Sequence, residues 1–190
     1  PIVRVERGGS VTYHGPGQLV AYPIIKLDET QMDVHQLVNM LEEVGIHLLK
    51  DYNVVAERVV GKPGVWVKGK KIASIGLAIK NWVTYHGIAI NINVDLRYFH
   101  AIKPCGFSPD LITSLNEILG REVSMNEIKQ KFIQHFAKVF SVKLVEKMMD
   151  TIQILHFSNH YPILSCGFIS LSLASSILNY NSDTSCTFQQ

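Results

Sequence analysis

Three short β-rich runs, separated by turn residues, constrain the fold of this chain more than any other feature. The runs cover residues 64–68, 71–79 and 83–94. Glycine, proline and lysine supply turns before the first run and between the first two. In the last run apolar residues alternate with alanine and asparagine, as in Ile88-Ala89-Ile90-Asn91-Ile92-Asn93-Val94. This alternation predicts a strand with one buried face and one polar or small face.

Two amphipathic helices are predicted on either side of these runs. Residues 33–50 carry apolar side chains at helical spacing, and Asp33 is suited to be the N-cap. Residues 124–140 show the same period and open with Ser124-x-x-Glu127, the pattern of a capping box. Both signals are local, so we expect both helices to begin at these residues.

Further strands are expected over residues 2–6, 19–27 and 53–60, and residues 100–110 are expected to form a loop. Pro23 predicts that its strand lies at a sheet edge or contains a bulge. Strands with a few interspersed helices predict an α/β or α+β fold. We therefore expect a single domain with one mixed β-sheet flanked by helices.

The composition excludes several classes of protein. The 190 residues are 47% hydrophobic and 18% charged, with a net charge of +2, so the totals show no strong attraction to nucleic acid or to an anionic membrane. The three cysteines are odd in number and widely spaced, which argues against a disulfide framework and against structural zinc. A reducing compartment is the expectation.

The two ends of the chain depart from this pattern. Residues 151–190 contain no lysine or arginine and are rich in serine. The uncharged stretch 161–180 is long enough to span a membrane, but serines and a proline interrupt it and basic flanks are absent. We therefore expect a domain over residues 1–147 and an atypical extension over 148–190 outside its core. The chain starts at Pro1 in a strand-like stretch, so the N-terminus is expected to be truncated.

The loop Arg7-Gly8-Gly9-Ser10-Val11-Thr12-Tyr13-His14-Gly15-Pro16-Gly17-Gln18 is the first candidate site. Glycine at this density indicates unusual backbone conformations or the close approach of another group. The loop matches neither the Walker A pattern nor G-x-G-x-x-G, so a nucleotide site has little support. A tight turn between two strands explains one or two of the glycines but not the arginine, threonine and histidine among them.

Cys105, between Pro104 and Gly106, is the second candidate. A free cysteine is most often a small buried hydrophobe, whereas a loop cysteine with a lowered pKa can be a nucleophile. The residues that could lower the pKa are His14, His86 and Lys71. Lys71 opens an otherwise apolar or small run, Lys71-Ile72-Ala73-Ser74-Ile75-Gly76, whereas Lys62, Lys68 and Lys70 are expected on the surface. A core histidine bonded to backbone is the alternative for His86.

Other kinds of chemistry find little support in the residue pattern. No acidic pair indicates a glycosidase, and the histidines lack the spacing of metal ligands. A Cys–His–Asn protease triad could be assembled from Cys105, His86 and Asn91, but it has no local signature.

Several motifs in order resemble those of the lipoyl(octanoyl) transferase (LipB) family. They are Arg7-Gly8-Gly9-x-x-Thr12-x-His14-Gly15-Pro16-Gly17-Gln18, Pro63-Gly64-Val65-Trp66-Val67, Lys71-Ile72-Ala73-Ser74-Ile75-Gly76, Tyr85-His86-Gly87-Ile88-Ala89-Ile90-Asn91 and Pro104-Cys105-Gly106. The resemblance covers about residues 2–145. The Lys71 and Cys105 blocks together distinguish this family from lipoate and biotin ligases.

The resemblance implies the biotin/lipoate A/B protein ligase fold and an acyltransferase. It implies transfer of an octanoyl group from octanoyl-acyl carrier protein, through a Cys105 thioester, to a lysine of lipoyl domains. Cys105 is then the nucleophile, and Lys71 is the residue that lowers the pKa of its thiol or acts as a base. Three segments are implied to line the acyl and thioester site: Arg7, Gly8, Gly9, Ser10, Val11, Thr12, Tyr13 and His14; Ser74, Ile75 and Gly76; and Gly87, Ile88 and Ala89.

His86 is a possible supporting residue, and backbone N–H groups near Gly8–Gly9 or Gly76 are candidates to stabilise an oxyanion. The implied reaction uses a donor that is already activated, so no cofactor and no metal are expected. The implied partners are the octanoyl carrier protein and the lipoyl domains of 2-oxoacid dehydrogenases and of the glycine cleavage H protein.

No nucleic acid and no stable membrane association are expected, and the chain is expected to be a monomer. The location is the cytoplasm if the source is bacterial, and a plastid or mitochondrion if it is eukaryotic. Three alternatives remain open: a lipoyl amidotransferase, an ATP-dependent lipoate ligase, and an inactive acyl-binding remnant.

Overall fold

A computed structural model describes residues 2–3, 6–8, 11–27, 32–102, 108–149, 152–158, 166–173 and 187–189, with backbone alone for residues 2–3 and beyond 144. The strands are β1 (Ile2–Val3), β2 (Thr12–His14), β3 (Gln18–Ile25), β4 (Glu57–Val59), β5 (Lys62–Val67), β6 (Lys70–Lys80), β7 (Val83–Asn91), β8 (Lys143–Met149), β9 (Ile152–Ser158), β10 (Cys166–Leu173) and β11 (Thr187–Gln189). The helices are α1 (Val34–Lys50), α2 (Leu115–Leu119) and α3 (Met125–Phe140), and 3₁₀ turns cover Leu96–Ala101 and Pro109–Leu111.

Eight of the strands form one large sheet in the order β4-β5-β6-β7-β3-β10-β9-β8, and every described neighbour pair is antiparallel. A small sheet, β1-β11-β2, contains a parallel pair between β1 and β11. Helices α1 and α3 pack against each other and on the large sheet. The predicted class, a single α+β domain with a sheet flanked by helices, is confirmed.

Both long helices begin at the predicted caps. Asp33 accepts a hydrogen bond from the Gln36 N–H at 2.8 Å, and the Gln36 side chain accepts from the Asp33 N–H at 2.9 Å. These two bonds close a capping box and satisfy two backbone N–H groups that an uncapped helix would leave open. At the start of α3, Ser124 accepts from the Glu127 N–H at 3.4 Å.

The main core lies between these helices and one face of the sheet. Leu37, Leu41 and Leu48 of α1 meet Ile88 and Ile90 of β7 in one apolar cluster, and all five are buried. Three phenylalanines of α3 complete it. Phe132, Phe136 and Phe140 are spaced by one helical turn, and the rings of Phe136 and Phe140 stack with centroids 3.9 Å apart.

Strand β3 is irregular in its middle, where Pro23 lies. It pairs with β7 from Gln18 to Ala21 and again only at an isolated bridge between Lys26 and Val83. Between these points the buried Thr84 hydroxyl donates to the Pro23 carbonyl at 2.7 Å and accepts from the Ile25 N–H at 2.9 Å. The side chain thus replaces ladder bonds across the gap.

The prediction of an edge strand at Pro23 is wrong, because β3 lies between β7 and β10. The predicted alternative, a bulge, is not found either, because the register of β3 on β10 is unbroken and the pairs Ala21–Ile88 and Lys26–Val83 keep the same register across the gap. Elsewhere the expected loop over 100–110 is in part helical, because residues up to Ala101 and from Pro109 form 3₁₀ turns.

The region after residue 147 contributes backbone strands that its sequence pattern does not predict. Strand β10 pairs with β3 on one side and with β9 on the other. Serines interrupt the apolar run here, so neither strand nor helix periodicity is visible in the sequence. The proposed boundary between residues 1–147 and 148–190 stays a prediction. Within the described residues, no helix is long and apolar enough to cross a membrane.

Candidate active site

A pocket lies on the face of the sheet opposite α1 and α3. Residues of β6 and β7 alternate, so Ser74 and Gly76 stand beside Ala89 and Gly87 on this face. The pocket holds about 370 Å³, counting its open mouth, and its lining is mostly apolar. It is lined by Arg7, Thr12, His14, Tyr22, Ser74, Ile75, Gly76, His86, Gly87, Ile88 and Ala89.

The absence of side chains at Gly76 and Gly87 lets neighbouring backbone come close. A Cβ on Gly76 would lie 3.0 Å from both Cδ of Arg7 and the carbonyl oxygen of Gly8. A Cβ on Gly87 would lie 2.2 Å from the carbonyl oxygen of Ala21, which no side chain tolerates. Residues 6–8 therefore pass close to the sheet at Gly76, and the backbone of β3 lies close to Gly87.

Two attachments hold the glycine-rich loop over the sheet. The Gly8 N–H donates to the Leu77 carbonyl at 2.8 Å. Tyr13, in β2, is buried and stacks on Tyr98 at 5.3 Å, with Phe99 edge-on at 5.2 Å. Because its N–H is engaged by Leu77, Gly8 does not offer it to an oxyanion in this structure.

The predicted site residues fall into three groups. Ten of them line the pocket: Arg7, Thr12, His14, Ser74, Ile75, Gly76, His86, Gly87, Ile88 and Ala89. Gly8, Val11, Tyr13 and Lys71 are described but are not among the lining residues, and Tyr13 faces an aromatic cluster instead. Gly9, Ser10 and Cys105 lie outside the described residues. Their role in binding or catalysis stays a prediction.

Sequence reasoning missed Tyr22, which lines the pocket beside His86 with ring centroids 5.7 Å apart. Side chains alternate along a strand, so Tyr22 lies on the same face of β3 as Val20, and this alternation could have predicted its position. Pro23 follows it directly and made a regular alternation uncertain from the sequence.

His86 has an unusual backbone conformation. Its φ of 62° is rare for a residue with a side chain. The residue lies where the pairing between β3 and β7 is interrupted. Burial, reinforced by the charge of Arg7, lowers the pKa of His86 below its usual value. The ring is therefore neutral near pH 7 and contributes no second positive charge to the pocket.

Lys71 is 4% exposed, whereas Lys62, Lys68 and Lys70 are exposed as predicted. Its Nζ donates to the Pro63 carbonyl at 2.8 Å and lies 5.1 Å from the centre of the Trp66 ring. Carbonyl oxygens and aromatic faces both attract positive charge, so the ammonium is held in place away from bulk water. Lys71 lies three residues before Ser74 on β6 and is not among the pocket-lining residues.

The residues on either side of the 103–107 segment are anchored near these groups. Ile102 and Ile112 pack into the aromatic cluster that holds Tyr13. Ile112 forms a parallel bridge with Lys71, and the Thr113 N–H donates to the Lys71 carbonyl at 3.0 Å. The segment that follows Cys105 in the sequence is therefore in backbone contact with Lys71, at Ile112 and Thr113. Within the described part of the chain, no cluster of His, Cys, Asp or Glu could hold a metal ion.

Similar solved structures define the class of fold. A lipoate-protein ligase A bound with ATP matches with a TM-score of 0.57 at 18% identity, covering 73% of this chain and 58% of that one. A putative lipoate protein ligase from T. acidophilum with bound lipoic acid matches with a TM-score of 0.61 at 16% identity, over 78% and 62% of the two chains. The fold is that of lipoate and biotin protein ligases, as the sequence resemblance implied.

Sequence relatives define the family within that class. The chain belongs to the family described as the lipoyl protein ligase A/B catalytic domain, whose model matches residues 1–137. An octanoyltransferase of Caldanaerobacter subterraneus subsp. tengcongensis is 47% identical over 145 residues, which is 76% of this chain and 63% of the relative.

A probable octanoyltransferase of Pyrobaculum calidifontis is 52% identical over 141 residues, covering 74% of this chain and 60% of the relative. An octanoyltransferase of Thermoanaerobacter sp. is 43% identical over 81% of this chain and 67% of the relative. The predicted membership in the lipoyl(octanoyl) transferase family is confirmed. The chain spans between three fifths and two thirds of the length of these relatives.

Proposed function

We propose that this chain is an octanoyltransferase that moves an octanoyl group from an acyl carrier protein to a lysine of a lipoyl domain. The observation that carries the proposal is the buried Lys71, which is in backbone contact with the chain that follows Cys105. Relatives that are named octanoyltransferase support the acyl group. Neither ATP nor a metal is required in this proposal, because the thioester donor is already activated.

Cys105 and Lys71 divide the proposed chemistry between them. The Cys105 thiolate attacks the carbonyl carbon of the octanoyl thioester, a new C–S bond forms, the bond to the carrier sulfur breaks, and the carrier sulfur takes a proton from the Lys71 ammonium. The amine of the lipoyl-domain lysine then attacks octanoyl-Cys105, an amide C–N bond forms, Cys105 leaves as the thiolate, and the amine proton passes to Lys71. One thioester replaces another in the first step, and the second step is favourable because an amide is more stable than a thioester. Covalent catalysis lets two proteins use one site in turn.

The pocket suits an uncharged acyl chain better than a phosphate. The lining is mostly apolar, and Ser74 and Ala89 carry small side chains on this face, so an uncharged chain can contact apolar surface there. Each buried methylene contributes about 0.8 kcal/mol, so part of an octanoyl chain supplies several kcal/mol of binding. Arg7 lines the pocket, and in this proposal its positive charge orients the polar end of the substrate.

Intact-protein mass spectrometry tests the proposal. Incubation with octanoyl-carrier protein and no ATP is expected to add one octanoyl mass to the protein, and Cys105→Ser is expected to abolish the adduct. Cys166→Ser is the matched control, because Cys166 lies at the start of β10, outside the pocket-lining residues, and it should keep the adduct. Absence of the adduct in the unchanged protein, or its persistence in Cys105→Ser, contradicts the mechanism. A requirement for ATP would indicate a ligase instead.

Alkylation kinetics test the role of Lys71. In Lys71→Ala, iodoacetamide modification of Cys105 near neutral pH is expected to slow by at least tenfold and to recover at high pH, since the thiolate is the reactive form. Lys70→Ala is the matched control, an exposed neighbour on the same strand. Equal pH profiles for the two variants would show that another group activates the thiol.

A further inference from the structure

One peptide unit links a buried carboxylate of α1 to Lys71. The Gly64 N–H donates to the Glu42 Oε1 at 2.8 Å, and the Lys71 Nζ donates to the Pro63 carbonyl at 2.8 Å. This N–H and this carbonyl are the two ends of the same planar peptide bond, so they point in opposite directions. Glu42 is 4% exposed, and a charged side chain is rarely buried to this extent unless it is paired.

Glu42 and Lys71 approach this peptide from different sides of the sheet. Val65 and Val67 belong to the core cluster that contains the leucines of α1, so Trp66 between them points to the other face. Lys71 pairs with Trp66 across the two strands, and its Nζ lies 5.1 Å from the centre of the Trp66 ring. Lys71 is therefore on the pocket side, whereas the Glu42 carboxylate reaches the peptide from α1.

Gly64 lets this peptide come close to the ammonium. Its φ is 127°, a value that side chains rarely allow. A Cβ there would lie 2.3 Å from the Ala73 carbonyl oxygen and 3.4 Å from the Lys71 Nζ. A glycine permits several orientations of the preceding peptide, and the bond to Glu42 favours the one that directs the Pro63 carbonyl at Lys71.

The other oxygen of Glu42 is held by Arg58 of β4. The Arg58 Nε donates to the Glu42 Oε2 at 3.1 Å. A terminal nitrogen of the same guanidinium bonds Glu43 and, at 2.9 Å, the Asn39 carbonyl. The guanidinium thus fixes the Glu42 carboxylate with its Oε1 directed at the Gly64 N–H.

We propose that Glu42 is a positioning residue that acts on Lys71 through the peptide between Pro63 and Gly64. A carboxylate at the N–H end and an ammonium at the carbonyl end both align with the peptide dipole, so each hydrogen bond strengthens the other. Glu42 thereby favours the protonated form of Lys71 and holds its nitrogen in one place. The consequence for Cys105 rests on the proposed function, whereas the placement of Lys71 does not.

Amine labelling of the full chain tests the placement without any substrate. Acetic anhydride reacts with neutral, accessible amines, and peptide mass spectrometry compares Lys71 with its exposed neighbour Lys70. We expect Lys71 to react at least tenfold more slowly than Lys70 in the unchanged protein. Glu42→Gln should raise the labelling of Lys71 by about threefold to tenfold, because it removes the charge and weakens the hold on the peptide.

Glu43→Gln is the matched control for this labelling. Glu43 bonds the same guanidinium from the next position on α1, whereas the Gly64 N–H is bonded by Glu42. Unchanged labelling of Lys71 in Glu42→Gln, or an equal rise in Glu43→Gln, overturns the proposal. If Glu42→Gln does not fold, Glu42→Asp replaces it, because this change keeps the charge but withdraws the oxygens from Gly64. It should give a smaller rise, and labelling equal to that of the unchanged protein also overturns the proposal.

Alkylation of Cys105 tests the consequence for the proposed chemistry. Glu42→Gln should slow iodoacetamide modification near neutral pH by about threefold to tenfold and shift the pH profile upward. Added to Lys71→Ala, it should slow the reaction no further, because Glu42 acts through Lys71.

Equal slowing by Glu42→Gln in both backgrounds overturns the proposal, as does normal alkylation in Glu42→Gln when Lys71→Ala is slow. If Lys71→Ala itself reacts normally while the labelling of Lys71 responds to Glu42, the proposed role of Lys71 at Cys105 fails and its placement by Glu42 stands.

Discussion

The two faces of the large sheet are built in different ways. On the helix face, which packs against α1 and α3, large apolar side chains such as Leu41, Ile90 and Phe136 are buried. On the pocket face, glycine, alanine and serine of β6 and β7 leave room, and the polar groups there are joined by directed hydrogen bonds. Burial supplies the stability of the first face, whereas the second depends on the exact shape of its backbone.

The difference implies that substitutions on the two faces should have different consequences. A truncation on the helix face removes buried area and should lower the free energy of unfolding. An addition on the pocket face displaces a loop and should lower activity first. The variants below test this division, from the largest expected effect on stability to the smallest.

Phe136→Ala should have the largest effect. Phe136 is fully buried between Phe132 and Phe140, so its truncation leaves a cavity and should cost about 3–5 kcal/mol of unfolding free energy. Urea denaturation measures it, with the more exposed Ile118→Ala of α2 as the control, for which a cost below about 1 kcal/mol is expected. Similar losses for the two variants would contradict this account of the helix face.

Thr84→Val should follow with a cost of about 1–3 kcal/mol. The change keeps the shape but leaves the Ile25 N–H and the Pro23 carbonyl without the hydroxyl that bridges them. Thermal or urea unfolding measures the loss, and Thr84→Ser, which keeps the hydroxyl, should retain most of the stability. If Val and Ser behave alike, the hydroxyl does not hold the gap between β3 and β7 together.

Gly76→Ala should cost less than about 1 kcal/mol of stability and still impair function. Its Cβ at 3.0 Å from Arg7 and Gly8 pushes the overlying segment away by a few tenths of an ångström. Octanoyl-adduct formation is expected to fall about tenfold. Ile79→Ala, farther along β6 and half-exposed, is the control and should change neither property strongly. Normal adduct formation in Gly76→Ala would show that the wall of the pocket tolerates a side chain.

The smallest expected effect is a pH dependence of stability due to His86. Because burial and Arg7 lower its pKa in the folded chain, the unfolded chain binds the proton more readily as the pH falls below about 6.5. Stability is therefore complete above that pH and declines as the pH falls toward the folded-state pKa. His86→Gln should flatten the decline, and His100→Gln, which removes an exposed histidine outside the pocket, should not. Equal slopes for both variants would contradict the assignment.

Local signals carried most of what the sequence predicted. The caps at Asp33 and Ser124 depend on residues only three positions away, so the starts of both helices could be predicted from the sequence. The alternation over 83–94 indicated a two-faced strand, which places Ala89 at the pocket and Ile90 in the core. The order of the motifs along the chain also indicated the family.

Contacts between distant residues were not predictable in the same way. Gln18 and Asn91 are 73 positions apart, and only the register of β3 on β7 brings them opposite each other. The aromatic partners of Tyr13 lie at Tyr98 and Phe99, so a residue predicted to bind substrate has its ring in a cluster that holds the loop. Such roles depend on register and packing, which the residue pattern alone does not encode.

The indole of Trp66 gives this protein a built-in optical probe. The chain has two tryptophans, and Trp66 is buried beside Lys71 whereas Trp82 is 64% exposed in the turn between β6 and β7. In Trp82→Phe, fluorescence would come from a single ring that sits against the Lys71 ammonium. Indole emission responds to nearby charge, so its wavelength would follow any change at Lys71 as an acyl group arrives, in real time and without a label.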